Sequence, residues 1–199
     1  MIEKKFESIK MAPRDPILGL TELFKSDSRP EKINLGVGVY YDDLGQVPLL
    51  KCVQQAEVTL AERAIPRAYL PIDGDQTYCD KVQELLFGAS APAIEQKKVI
   101  TVQTLGGTGA LRLGGDFLKS VFPDSTVWIS DPSWENHRGV FERTGFTVDK
   151  YPYYDSSNKG VKYDEMIMAF ERMPIGSIVV LHACCHNPTG VDLNINKWD

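Results

Sequence analysis

Between residues 126 and 183 the chain alternates apolar runs of strand composition with segments of helical period, and nothing else in it constrains the fold as strongly. The pattern predicts a strand over 126–130, a helix over 135–144, a strand over 147–154, a helix over 163–173 and a nearly continuous apolar strand over 177–183. Strands joined through helices run parallel, and apolar runs with few polar breaks need cover on both faces. The expected fold class is therefore α/β, a mostly parallel sheet with helices on both faces. Ligands of such sheets bind beyond the carboxyl ends of the strands, so the loops there are the candidate site.

Three loops are expected at that rim. The first follows residues 99–105, a β-rich run that breaks at Gly106 and Gly107 and continues as a helix over 108–122, with Leu111, Leu113, Phe117, Leu118 and Val121 expected inward. A helix that starts there leaves backbone N–H groups without partners at the positive end of its dipole. Gly106 and Gly107 keep no side chain between that backbone and an anion, and Thr108 adds a hydroxyl at about the N-cap, so the turn suits phosphate. It reads equally as a tight turn with a Thr cap and nothing bound. It is neither common nucleotide loop: no Lys-Ser or Lys-Thr follows, and Arg112 stands where the third glycine of G-x-G-x-x-G belongs.

The second loop is Asp131-Pro132-Ser133-Trp134, whose indole either lies over a flat ligand or packs in the core. The third is His186-Asn187-Pro188-Thr189-Gly190. Asn187 precedes a proline, so its backbone is extended and its amide either donates to a phenolate or carboxylate oxygen or organises the turn. His137 and His182 read as a base, a proton shuttle or structural histidines. His182 and His186 stand four apart, but Asn187-Pro188 stops any helix, and Cys52, Cys79, Cys184 and Cys185 lack zinc spacing, so no metal site is expected. Thiol catalysis at Cys184 or Cys185 has no activating neighbour beyond His182 and His186.

Ahead of this lie a polar arm, 1–15, of the kind that rests on a partner subunit; a short helix over 16–25; a strand over 33–41 carrying Gly36 and Gly38; and a helix over 49–64 with Leu50, Val53, Ala56, Leu60 and Ala64 on one face. A loop over 67–75 follows, then a helix that Asp75 caps and that runs to about Phe87, and a connector over 90–96. A net charge of -5, with basic residues scattered among acids, gives no footprint for nucleic acid or an anionic membrane. No apolar run approaches the ~20 residues of a membrane span and the first residues lack a secretory core, so a cytoplasmic protein is expected. The last residues stop where Asn194 could begin another helix, so the sheet domain is expected to be incomplete at its carboxyl end.

Five motifs occur in one order: Asn34-Leu35-Gly36-Val37-Gly38-Val39-Tyr40, Tyr69-Leu70-Pro71-Ile72, Gln103-Thr104-Leu105-Gly106-Gly107-Thr108-Gly109-Ala110-Leu111, Ser130-Asp131-Pro132-Ser133-Trp134-Glu135-Asn136-His137 and His182-Ala183-Cys184-Cys185-His186-Asn187-Pro188-Thr189-Gly190. Together they resemble the class I pyridoxal-phosphate-dependent aminotransferases that act on aspartate and aromatic amino acids, over about the first half of a family member. The resemblance implies the fold type I architecture, with residues 1–47 an arm and part of a small domain and 48–199 the first part of a large pyridoxal 5'-phosphate domain. It implies amino acid and 2-oxo acid substrates, 2-oxoglutarate among them, and a homodimer with sites at the subunit interface.

By the same resemblance Gly106, Gly107 and Thr108 hold the cofactor phosphate, and Tyr69 reaches the phosphate of the neighbouring subunit's site. Trp134 stacks on the pyridine ring and helps bind the substrate carboxylate. Asn187 donates to the ring's phenolic oxygen and to that carboxylate, and Gly38 gives it a backbone N–H. Ile17 and Val37 line the entrance, and His137 stands behind the partner of the ring nitrogen. The Schiff-base lysine and the carboxylate-clamping arginines of the family fall beyond residue 199, so these 199 residues are expected to be inactive alone. A phosphate-ligand-binding protein of the same fold without catalysis, and a nucleotide-dependent transferase, are the rival readings.

Overall fold

The computed structural model describes residues 18–34, 36 and 38–198. The arm over 1–15 and the entrance residues Ile17 and Val37 lie outside them. The chain divides into two compact units, one ending at Ala68 and one starting at Tyr69.

In the first unit, helix α1 (Leu18–Ser26) and helix α2 (Lys51–Arg63) form where helical spacing predicts them. The Lys32 ammonium closes the end of α1, donating to the Phe24 carbonyl at 2.7 Å and standing 4.5 Å from the Phe24 ring centroid. None of α2 is buried: Val53, Val58 and Leu60 are all exposed, so its apolar stripe has no cover among the described residues. The strand expected over 33–41 is absent among the described residues of that stretch. Asn34 instead accepts the Gly36 N–H at 2.9 Å, a local turn that competes with extension, and among the described residues no partner strand pairs with it.

The second unit opens with helix α3 (Gln76–Phe87), capped as expected: Asp75 accepts the Tyr78 N–H at 2.8 Å. A four-residue helix, α4 (Pro92–Glu95), occupies part of the expected connector. Residues 99–104 correct a second expectation, since they join no ladder. A strand needs a neighbour, and the run is tied instead to the loop before α3. Gln103 donates its N–H to the Asp73 carbonyl at 2.9 Å, and its side chain accepts the Asp75 N–H at 3.0 Å. Gly74, at φ +99°, makes that approach possible, because any Cβ there would collide with Gln103.

Helix α5 (Gly106–Val121) leads to β1 (Thr126–Asp131), α6 (Glu135–Arg143) and β2 (Thr147–Pro152). A short antiparallel hairpin, β3 (Tyr154–Asp155) with β4 (Gly160–Val161), precedes α7 (Tyr163–Arg172) and β5 (Ile178–Val179). The sheet order is β2-β1-β5 and both pairings are parallel, in register from Thr126 opposite Thr147 to Asp131 opposite Pro152. Of the apolar run over 177–183 only two residues enter the ladder, extended by a bond from the Val180 N–H to the Trp128 carbonyl at 2.9 Å.

Period-two alternation in β1 splits the core. Val127 and Ile129 face Phe141, Phe146 and Val148, with Leu111 and Leu118 of α5 against them. Trp128 packs on the other side with Tyr151, Tyr153, Met166 and Phe170 of the α7 layer. Helices therefore cover both faces, as expected, and each large apolar side chain buried contributes roughly 1.5–3 kcal/mol. The inward face of α5 differs from the expected one. Leu111 and Leu118 turn to the core and Gly115 lies against Phe141 and Thr144 of α6 and its end, whereas Leu113, Phe117 and Val121 are exposed. At about 100° per residue these form a second stripe roughly 130° away, so one sheet covers only one of the two.

Candidate active site

β1 and β5 lie side by side and parallel, so both end at the same edge of the sheet, where ligands of such sheets bind. Two of the three expected loops meet there. After β1, Ser133 hydrogen-bonds the His137 Nδ1 at 2.8 Å, and the Trp134 carbonyl accepts the His137 N–H at 2.9 Å as α6 begins. After β5, the backbone runs through His182 to His186 and Asn187. Both loops carry a cis proline peptide, Asp131-Pro132 and Asn187-Pro188.

Five rings form a row across this edge. Trp134 meets His137 edge-on at 5.4 Å, His137 lies 5.1 Å from His182, His182 lies 4.4 Å from His186, and His186 stacks on Tyr153 at 4.0 Å, nearly coplanar. His186 is buried, 2 % exposed, with Nε2 on the Ser130 hydroxyl at 2.9 Å and Nδ1 on the Thr189 hydroxyl at 2.8 Å. Thr189 also accepts the Val191 N–H, which leaves its own proton for Nδ1 and assigns the ring proton to Nε2. The His182 Nδ1 is buried and has no hydrogen-bond partner among the described residues.

Burial pushes all three histidines toward the neutral form, and neighbouring imidazoles add to it at His137 and His186. Desolvation lowers the pKa of His137 and of His182, and takes His186 to about 4. The rings are thus hydrogen-bonding supports at neutral pH. Asp192 behaves oppositely: the backbone N–H groups of His186 and Cys185 hold its carboxyl below the ordinary carboxylate range. The Cys185 thiol is pushed up, first by its hydrogen bond with Cys184, so a thiolate nucleophile is disfavoured there.

The other expected site residues are not members of this row of rings. The helix after the glycine turn starts at Gly106, two residues earlier than expected, so Thr108 lies inside the first turn and Leu105 takes the cap position without a side-chain bond. Gly106 adopts φ +65°, and a methyl at Gly106 or Gly107 would meet nothing within 4 Å. The turn therefore presents uncapped backbone to open space, which fits an anion, but the run before it is no strand of the sheet, and among the described residues no hydrogen bond joins the turn to Trp134 or Asn187. Tyr69 is fully exposed, and Gly38 belongs to the first unit. Asn187 is exposed beside the buried His186.

Sequence reasoning missed Ser130, Tyr153 and Asp192. Ser130 was legible as a hydroxyl at the carboxyl end of an apolar strand. Asp192 had a weaker signal, a carboxylate just past a Thr-Gly turn, and Tyr153 none beyond its place near a strand end.

The sequence profile of aminotransferase class I and II matches residues 30–199. An aspartate aminotransferase of Pseudomonas aeruginosa is 56% identical over 97% of the chain, which covers 48% of that relative. An aromatic-amino-acid aminotransferase of Escherichia coli is 47% identical over 98% of the chain and 49% of the relative. The crystal structure of an aromatic-amino-acid aminotransferase from Burkholderia pseudomallei, covalently bound to pyridoxal phosphate, superposes with a TM-score of 0.93 at 55% identity, covering 97% of this chain and 48% of that one. The chain spans about half the length of the relatives it matches.

Proposed function

The chain belongs to the class I and II aminotransferase family, and we propose that it is the amino-terminal part of an aspartate or aromatic amino acid aminotransferase. The whole enzyme exchanges the amino group of a dicarboxylic or aromatic amino acid with 2-oxoglutarate through pyridoxal 5'-phosphate, as a cytoplasmic homodimer. Residues 1–47 serve as its arm and part of its small domain, and 48–199 as the first part of its large domain. The observation that carries this reading is the row of neutral rings that joins the loop bearing Trp134 to the loop bearing Asn187.

The residues present suit the cofactor. An uncapped glycine turn offers backbone N–H groups to a phosphate, and the orphaned His182 Nδ1 marks a polar position that nothing in the described chain satisfies. When bound, pyridoxal phosphate supplies the electron sink that makes loss of the substrate α-proton tolerable. Gly106, Gly107 and Thr108 hold its phosphate, and Tyr69 reaches the phosphate of the neighbouring subunit's site. Trp134 stacks on its ring and helps bind the substrate carboxylate. Asn187 donates to the phenolic oxygen and to the carboxylate, to which Gly38 adds a backbone N–H. His137, fixed by Ser133, backs the partner of the ring nitrogen. The lysine that carries the proton comes from beyond residue 199.

Two polypeptides test the proposal. Residues 1–199 give no aspartate or phenylalanine transamination with 2-oxoglutarate, and activity returns when the remaining part is supplied as a second chain. Turnover by residues 1–199 that depends on one of their own lysines overturns it.

A further inference from the structure

The segment around Asn187 is tied at nearly every point except Asn187 itself. Asp192 accepts the Cys185 N–H on one carboxylate oxygen and the His186 N–H on the other, both at 2.7 Å. Inside that ring the Gly190 N–H bonds the His186 carbonyl at 2.7 Å, and the Tyr153 hydroxyl donates to the Val191 carbonyl at 2.8 Å. Cys185 is held at φ +54°, a left-handed conformation that an ordinary side chain keeps only where its surroundings impose it. Asp192 supplies that constraint by taking the Cys185 N–H. The His186 ring, anchored on Ser130 and Tyr153, fixes the floor of the loop independently of Asp192.

We infer that Asp192 is a positioning residue: its carboxylate sets the turn at Cys185 and His186 and so the direction in which Asn187 offers its amide to a ligand. The inference rests on the reading of Asn187 as a donor to the cofactor's phenolic oxygen. Asp192 is exposed, so losing its carboxylate releases two N–H groups to water and leaves the buried ring cluster intact.

The test uses the full-length protein and its Asn187→Ala, Asp192→Ala, Asp192→Asn and doubly substituted Asn187→Ala/Asp192→Ala variants. It reads the affinity for pyridoxal phosphate and the pH at which the bound cofactor's absorbance changes, with a urea midpoint as the folding control. Asp192→Ala weakens cofactor binding by about tenfold, the scale on which supporting hydrogen bonds act on a directly bound ligand, and moves the absorbance titration in the same direction as Asn187→Ala. Asp192→Asn, which keeps one acceptor, falls between. The double variant is no worse than Asn187→Ala, because both act through one amide. An Asp192→Ala protein with a normal titration overturns the inference, as does a double variant whose losses add. An Asn187→Ala protein that is itself normal overturns the underlying reading of Asn187 instead.

Discussion

The two loops at the carboxyl edge of β1 and β5 and the glycine turn at the start of α5 carry the two halves of one proposed cofactor site, yet they are built in opposite ways. The first is clamped by buried side chains of β1, of β2 and of the residue just after β2: Ser130, Tyr151 and Tyr153 hold the segment from Val180 to Val191 through hydrogen bonds of 2.8 to 2.9 Å. The second has an uncapped helix start, an exposed Leu105 and open space around both glycines. A loop clamped within this unit should lose stability when its supports are cut. A turn held by little should tolerate substitution in stability terms and show its importance only when a ligand is present.

The largest contrast is in the layer under the clamped loops. Phe141→Ala, at a residue 4 % exposed, costs about 3–5 kcal/mol, whereas Ile100→Ala in the exposed run before the glycine turn stays within about 0.5 kcal/mol. Urea unfolding of residues 1–199 measures both, and equal losses would break the comparison.

Next in size is the clamp. Ser130→Ala leaves the buried His186 Nε2 without its partner at a cost of about 1–3 kcal/mol, while Thr104→Ala removes only an exposed 3.2 Å bond to the Gly106 carbonyl and has little effect. The same urea curves separate the two.

This contrast also marks what the sequence made legible. The β1-α6-β2 unit, α7 and the Asp75 cap follow from local periodicity and capping chemistry, and the structure bears them out. The run over 99–105 has equal strand character, but a ladder depends on a neighbour that local composition does not report. The face of α5 was ambiguous because the helix carries two apolar stripes, and only packing chooses between them. His186 and Ser130 meet across 56 positions of sequence, so a clamp built from them is invisible to spacing. Trp134, His137 and His182 were legible as candidates; their stacking into one row was not.

The pH dependence is a finer test of the clamped region. His186 is neutral when folded, with its pKa taken to about 4, and titrates near 6.5 when unfolded, so the unfolded chain binds the proton first. Its contribution to stability is complete above about pH 6.5 and is lost as pH falls from there toward 4, and the lowered values of His137 and His182 act in the same direction. The unfolding temperature should drop between pH 7.5 and 5, and His186→Gln should flatten that drop. An unchanged slope would show that the ring is not held neutral.

The smallest expected effects belong to the glycine turn. Gly106→Ala costs about 1 kcal/mol because of its left-handed φ, whereas Gly107→Ala, inside the helix and with a methyl that meets nothing, costs no stability and gains up to about 1 kcal/mol. In the full-length protein the Gly107 methyl should nevertheless weaken pyridoxal phosphate binding, measured by cofactor titration, because it points a carbon at the anion's seat. Unchanged cofactor affinity would place the phosphate elsewhere.

One measurement bears most directly on the central claim, that these residues form the cradle of a pyridoxal phosphate enzyme whose reactive lysine lies beyond them. The full-length protein is mixed with pyridoxal phosphate, reduced with borohydride and mapped by peptide mass spectrometry. A single pyridoxyl-lysine beyond residue 199 is the predicted result; an adduct confined to lysines within residues 1–199, or no specific adduct at all, would contradict it.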